Sequence, residues 1–131
     1  TLARSQHELV RPATRALATL IREERPATYR LCLGDVGYVG ANVPGPIDDL
    51  FGLNDAEYTR LCHGALTCWL PRVLSRNPDG IALVLDGDTA AHEVESALLA
   101  LPEFQRRYRR VQAFTAQDNP WAYVLFERAT R

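Results

Sequence analysis

At 131 residues, with 47% hydrophobic residues, 24% charged residues and a net charge of −1, the chain has the make-up of one globular domain. It is long enough to bury a core without metal or disulfide staples, and no apolar run approaches the ~20 residues of a membrane span. The balance of charge disfavours a nucleic-acid platform, which needs a sustained basic face interleaved with stacking aromatics.

The charge is nevertheless segmented. Residues 1–30 carry +3, residues 31–102 carry −7 and residues 103–131 carry +3. Such a pattern suits either ion pairs between the segments or an acidic middle that receives a basic protein partner. All fifteen basic residues are arginine and methionine is absent, a bias that codon usage in a GC-rich bacterial genome would produce. No basic, apolar, small-residue leader is visible, so the expected location is cytoplasmic. The three cysteines Cys32, Cys62 and Cys68 are then expected to be reduced thiols.

In chain order, the spacing predicts a first helix from Pro12 to Arg25, with Pro12 in a permitted first-turn position and Pro26 as the stop. Five of the eight glycines then fall between Tyr29 and Leu53. Gly34, Gly37 and Gly40 form G-x-x-G-x-x-G, not the G-x-G-x-x-G of a dinucleotide loop, and Pro44 and Pro46 argue against a helix after Gly40. The segment reads instead as a hairpin, with Tyr29–Leu33 as one strand, Gly34-Asp35 as the turn and Val36–Val39 as the return.

Pro46 to Gly52 reads as a short helical turn. Asn54 or Asp55 caps a second helix, whose face is Tyr58, Leu61, Cys62, Ala65, Leu66, Trp69, Leu70 and Val73. Asn77-Pro78-Asp79-Gly80 is a turn. Ile81–Leu85 has no polar alternation and reads as a central strand. Asp88 or Thr89 caps a third helix, with a short helical extension over Glu103–Arg110. Val111–Thr115 and Trp121–Glu127 close the chain as a hairpin.

The expected fold is therefore α+β (mixed α/β), a single domain over residues 1–131. It has an about five-stranded mixed sheet with a β-hairpin in each half and about three covering helices, in the order α-β-β-α-β-α-β-β. Ile81 to Thr115 is a candidate right-handed βαβ crossover. Followed by its hairpin, over residues 81–127, it resembles the last third of a class I methyltransferase. That resemblance implies a cofactor half with a glycine loop entering a helix, and Gly34 to Gly40 is expected to lack the helix.

Four constellations could carry chemistry. Cys62, His63 and Cys68 on a continuous helix diverge by about 100° and 120°, so a metal site is not expected and Cys62 belongs to the core. His63, His7 and His92 have no partner legible in the sequence. Asp35, Asp86 and Asp88 could share one sheet edge and act in acid–base work or hold Mg²⁺. Tyr38, Asp48, Asp49 and Phe51 make an acidic and aromatic patch suited to protein docking. Arg106, Arg107, Arg109 and Arg110 surround Tyr108 and suit the end of a helix.

There is no G-x-S-x-G, Walker loop, H-E-x-x-H or C-x-x-C. The expected function is binding of another, basic protein partner through the acidic middle, of the immunity or antitoxin kind. A homodimer is a further option, no cofactor is called for and no reaction is assigned. The alternative is a small-molecule or metal-dependent site built on Asp35, Asp86 and Asp88.

Overall fold

The computed structural model describes residues 2–34, 36–52, 56–115 and 120–129, of which residues 2–11, 56, 57 and 59 are described by backbone alone. The chain forms α1 (Leu2–Glu24), β1 (Leu31–Leu33), α2 (Val36–Asn42), β2 (Ile47–Asp49), α3 (Ala56–Cys62) and α4 (Leu66–Ser75). There follow β3 (Gly80–Asp86), β4 (Thr89–Ala90), α5 (Glu93–Ala100), α6 (Pro102–Arg107), β5 (Tyr108–Thr115) and β6 (Trp121–Arg128). It is a single α+β domain built on a mixed sheet.

The strand order is β2-β1-β3-β6-β5, with β4 paired to the end of β3. β1 is parallel to both β2 and β3, and β6 is antiparallel to both β3 and β5. The crossover expected from the central strand to the strand over 111–115 is present, with β6 inserted between the two. Alternation along the strands divides the core into two layers. Cys32, Ile81, Leu83, Leu85, Val124 and Phe126 meet Trp69, Leu70, Leu98 and Phe104 from α4, α5 and α6. Leu31, Leu33, Ala82, Tyr123 and Leu125 meet Leu17, Ile21 and Val39 from α1 and α2. Helices thus cover both faces, as the unbroken apolar run of β3 requires.

The first hairpin is not formed. After Gly34 the chain enters α2 rather than a return strand, so a glycine turn does lead from a strand into a helix. Pro44 and Pro46 end that helix instead of preventing it. Two parallel partners decide the matter: Leu31 to Leu33 face Ile47 to Asp49 on one side and Gly80 to Ala82 on the other. A strand already filled on both edges has no place for a hairpin mate. The same pairing draws Ile47–Asp49 into β2, where a helical turn was expected. The first helix also runs longer than its spacing suggested, with Pro12 inside it.

The second expected helix is broken. His63 and Gly64 adopt φ of 52° and 78°, left-handed values that stop α3 and redirect the chain into α4. That corner brings Cys62 and Cys68 together as a disulfide, with Cα atoms 5.3 Å apart, so the expectation of three reduced thiols is corrected. Only Cys32 is free, and it is buried. The cap of α5 is His92, not Asp88 or Thr89, because β4 intervenes. Asn54 and Asp55 lie outside the described residues.

At the amino ends of the parallel strands a polar clasp ties α1 to the sheet. Arg25 donates to both Glu127 oxygens at 2.8 and 3.0 Å, and the Tyr29 hydroxyl donates to Glu127 at 2.6 Å. Arg128 meets Asp79 at 2.9 Å, and Asp79 also accepts the Arg30 backbone N–H at 2.8 Å. Burial works to raise the Glu127 carboxyl, but the bonds from Arg25 and Tyr29 outweigh it and hold it below its ordinary 4.5. A carboxylate lowered in the folded state contributes stability that is present above 4.5 and is lost as pH falls through the folded value. Glu127→Gln should therefore cost about 2 kcal/mol near neutral pH, and its urea midpoint should converge on the wild type's in acid. A gap that stays constant with pH would contradict this.

Candidate functional site

In an open α/β sheet, ligands bind beyond the carboxyl ends of the strands, where neighbouring strands send their chains to opposite faces. Here that point lies between β1 and β3. β1 feeds α2 on one face, and β3 leads through β4 to α5 on the other.

β1 stops at Leu33, opposite Ala82, whereas β3 continues to Asp86. The edge of β3 that β1 leaves open is filled by other groups. The Val84 carbonyl accepts from the Ala91 N–H at 3.1 Å, and the Val84 N–H donates to Glu95 Oε2. The other oxygen of this carboxylate, Oε1, meets His92 Nδ1 at 2.6 Å. Glu95 is only 1% exposed, while the His92 side chain is 47% exposed. A buried carboxylate thus holds one nitrogen of a histidine whose side chain is about half open to solvent.

Two aromatic rings frame that histidine. The Phe51 ring lies 5.3 Å from the imidazole at 73°, and the Trp121 ring lies 6.4 Å away at 74°. Phe51 follows β2, and its N–H is fixed by Asp49 Oδ1 at 3.0 Å. Trp121 opens β6, opposite Asp86. Gly34 follows β1 against the Phe51 ring, where a Cβ would stand 2.5 Å from a ring carbon. Ends of β1, β2, β3 and β6 therefore converge on one histidine. Burial pushes the Glu95 carboxyl above its ordinary value, while the Val84 N–H and the imidazole pull the other way.

The residues singled out in the sequence are placed as follows. Asp35 lies outside the described residues. Asp86 is exposed at the end of β3, and Asp88, fully exposed in the turn, meets Arg110 at 3.4 Å. Among the described residues no three His, Cys, Asp or Glu side chains gather as a metal site. Tyr38 stands 40% exposed on α2. Asp48 is 4% exposed and inside the protein, clamped by Arg30 at 2.7 and 2.9 Å and by Arg76 at 3.6 Å, so it presents no docking surface. Asp49 is half-buried. The charge segmentation resolves in part internally, through Arg30–Asp48, Arg128–Asp79 and Arg110–Asp88. Of the arginines around Tyr108, Arg107 ends α6 and bonds to Glu103, Asn77 and the Leu74 carbonyl, whereas Arg109 and Arg110 lie in β5 and not in the expected helical extension, Arg109 reaching back to the Gln105 and Arg106 carbonyls of α6 at 3.1 Å.

His92 and Glu95 were not paired by sequence reasoning. Their signal was the H-x-x-E spacing at a helix start, which resembles a capping box.

Fold and site together define a small α+β domain with helices on both sheet faces and a histidine–carboxylate pair at the strand ends. Residues 2–126 match the family described as a domain of unknown function (DUF8728), and the chain belongs to that family. No curated protein and no solved structure matches it significantly. None of the helices is long and apolar enough to cross a membrane, among the described residues.

Proposed function

We propose that the protein binds a small molecule at the carboxyl ends of β1, β2 and β3, and that His92 exchanges a proton with it. The supporting observation is the 2.6 Å contact from His92 Nδ1 to Glu95 Oε1, in which the carboxylate is buried and the imidazole is open. With Glu95 ionised, Nδ1 carries the proton and Nε2 keeps the lone pair. That is the form of a general base, which becomes a general acid once protonated. Helix capping explains a glutamate at position 95 but not a histidine at 92. Histidine is a poor N-cap, and this one makes no side-chain cap bond. A bacterial setting belongs to this reading on compositional grounds.

A protein partner is the second reading, carried by the exposed Tyr38 on α2. It loses Asp48 to the interior and shares Phe51 with the histidine site.

Two measurements test the first reading. Side-chain ¹⁵N NMR should show neutral His92 protonated on Nδ1 in the wild type, and a mixture of tautomers in Glu95→Gln. A wild-type ring already mixed would remove the pair. A thermal-shift screen with divalent metals, nucleotides and a methyl donor should then yield at least one ligand whose shift His92→Ala abolishes. A ligand at ~100 times its dissociation constant adds about 2.7 kcal/mol, or several degrees for a chain of this length. A flat screen would favour the protein partner.

A further inference from the structure

We propose that the Cys62–Cys68 bridge is a thiol–disulfide exchange site for a small thiol, with Cys68 as the sulfur that is attacked and that attacks. This does not rest on the reading of His92. The bridge spans a sequence separation of 6, so it restrains little of the unfolded chain. Its two sulfurs sit in opposite surroundings. Cys62 is 3% exposed, packed with Leu50 and Trp69 in the core. Cys68 is partly exposed in the first turn of α4, whose N-cap Ala65 makes no side-chain bond to the N–H groups there, the Cys68 N–H itself meeting the Ala65 carbonyl at 3.1 Å. A thiolate at an uncapped helix start is stabilised by those N–H groups and the helix dipole, whereas one in an apolar core is not.

Residues that flank the bridge are open to solvent. His63 and Gly64, between the two cysteines, are both exposed and left-handed. Beside them lies an open cavity of about 460 Å³ lined by Tyr58, Gly64, Leu66, Thr67, Glu93 and Val94. The third cysteine is a built-in control: Cys32 is wholly buried, and burial drives its thiol far above its ordinary value.

The exchange balances as follows. An external thiolate bonds to Cys68 Sγ, and the electron pair of the breaking S–S bond passes to Cys62, which takes a proton. A second thiolate attacks the external sulfur of the mixed disulfide and releases Cys68 as a thiolate. Two small thiols are oxidised to one disulfide while the protein gains two electrons as a cysteine pair.

The test uses the full chain equilibrated in buffers of reduced and oxidised glutathione, quenched by alkylation and mapped by mass spectrometry. The bridge should open and close reversibly with circular dichroism unchanged. In the reduced protein at slightly acid pH, iodoacetamide should modify Cys68 at least ~10-fold faster than Cys62, and Cys32 not at all. The Cys62→Ser variant should keep the fast rate at Cys68, which separates the helix-end effect from the pairing. Three results would overturn the proposal: a bridge that excess glutathione cannot open in the folded protein, a reduced chain that unfolds, or equal rates at Cys62 and Cys68.

Discussion

Asp48→Ala should lower stability by about 3 kcal/mol with no partner present, a fall of roughly 10 °C in melting temperature for a chain of this size. The carboxylate sits on β2 and joins three elements: β2 itself, Arg30 ahead of β1, and Arg76 at the end of α4. Arg30 approaches it with two parallel bonds of 2.7 and 2.9 Å, the strongest geometry available to the pair. Removing it leaves two guanidinium groups facing each other. Their side chains are 37% and 23% exposed, so water can rehydrate them, which keeps the cost near the low end for a broken interior pair. The result separates two ideas. A docking carboxylate would lose binding and keep its urea midpoint, whereas an interior one loses the midpoint. An unchanged midpoint would refute the structural role.

Trp69→Ala should cost about 4 kcal/mol. The ring is 0% exposed and stacks on Tyr58 at 4.9 Å, with Arg76 lying 5.1 Å above it. Its Nε1–H donates to the Leu50 carbonyl at 2.9 Å. Alanine therefore opens a cavity between α3, α4 and β2 and orphans a buried carbonyl at once. Trp69→Phe keeps most of the volume and loses only the donor, so its cost should be about 1–2 kcal/mol. Denaturant titration of the two variants, with near-UV circular dichroism to follow the packing, checks the ordering. Equal costs would mean that volume plays no part.

The parts of the fold legible in the sequence are those written in a repeating pattern. Trp69, Leu70 and Val73 recur at helical spacing and do form the inner face of α4. The unbroken apolar run of β3 was readable too, as were the final two strands. Val36-Gly37-Tyr38-Val39 was not, because four residues of mixed character fit a strand or a helical turn equally. The parallel partners of β1 made the choice, and such partners are distant in sequence. The disulfide was hidden by one assumption. Six residues along an unbroken helix set two side chains about 120° apart, and the left-handed pair at His63 and Gly64 removes the helix on which that angle depends. The histidine site was hidden by β4. Two strand residues after Gly87 shift the start of α5 to Glu93, and only then does the buried face of the helix place Glu95 beside Val84. Asp86 and Asp88 marked the right end of the sheet but not the residues that meet there.

The outer strand β5 has a consequence for self-association. Residues 109–113 are exposed in an unbroken run, and the register slips between Arg110 and Gln112. A strand from a second copy would need a straight ladder of free N–H and C=O groups, and the bulge interrupts it. Two β5 strands laid edge to edge would also bring Arg109 and Arg110 of both copies onto one ribbon. The far edge, β2, offers only three residues. Among the described residues, the sheet is thus guarded against templated growth at both margins.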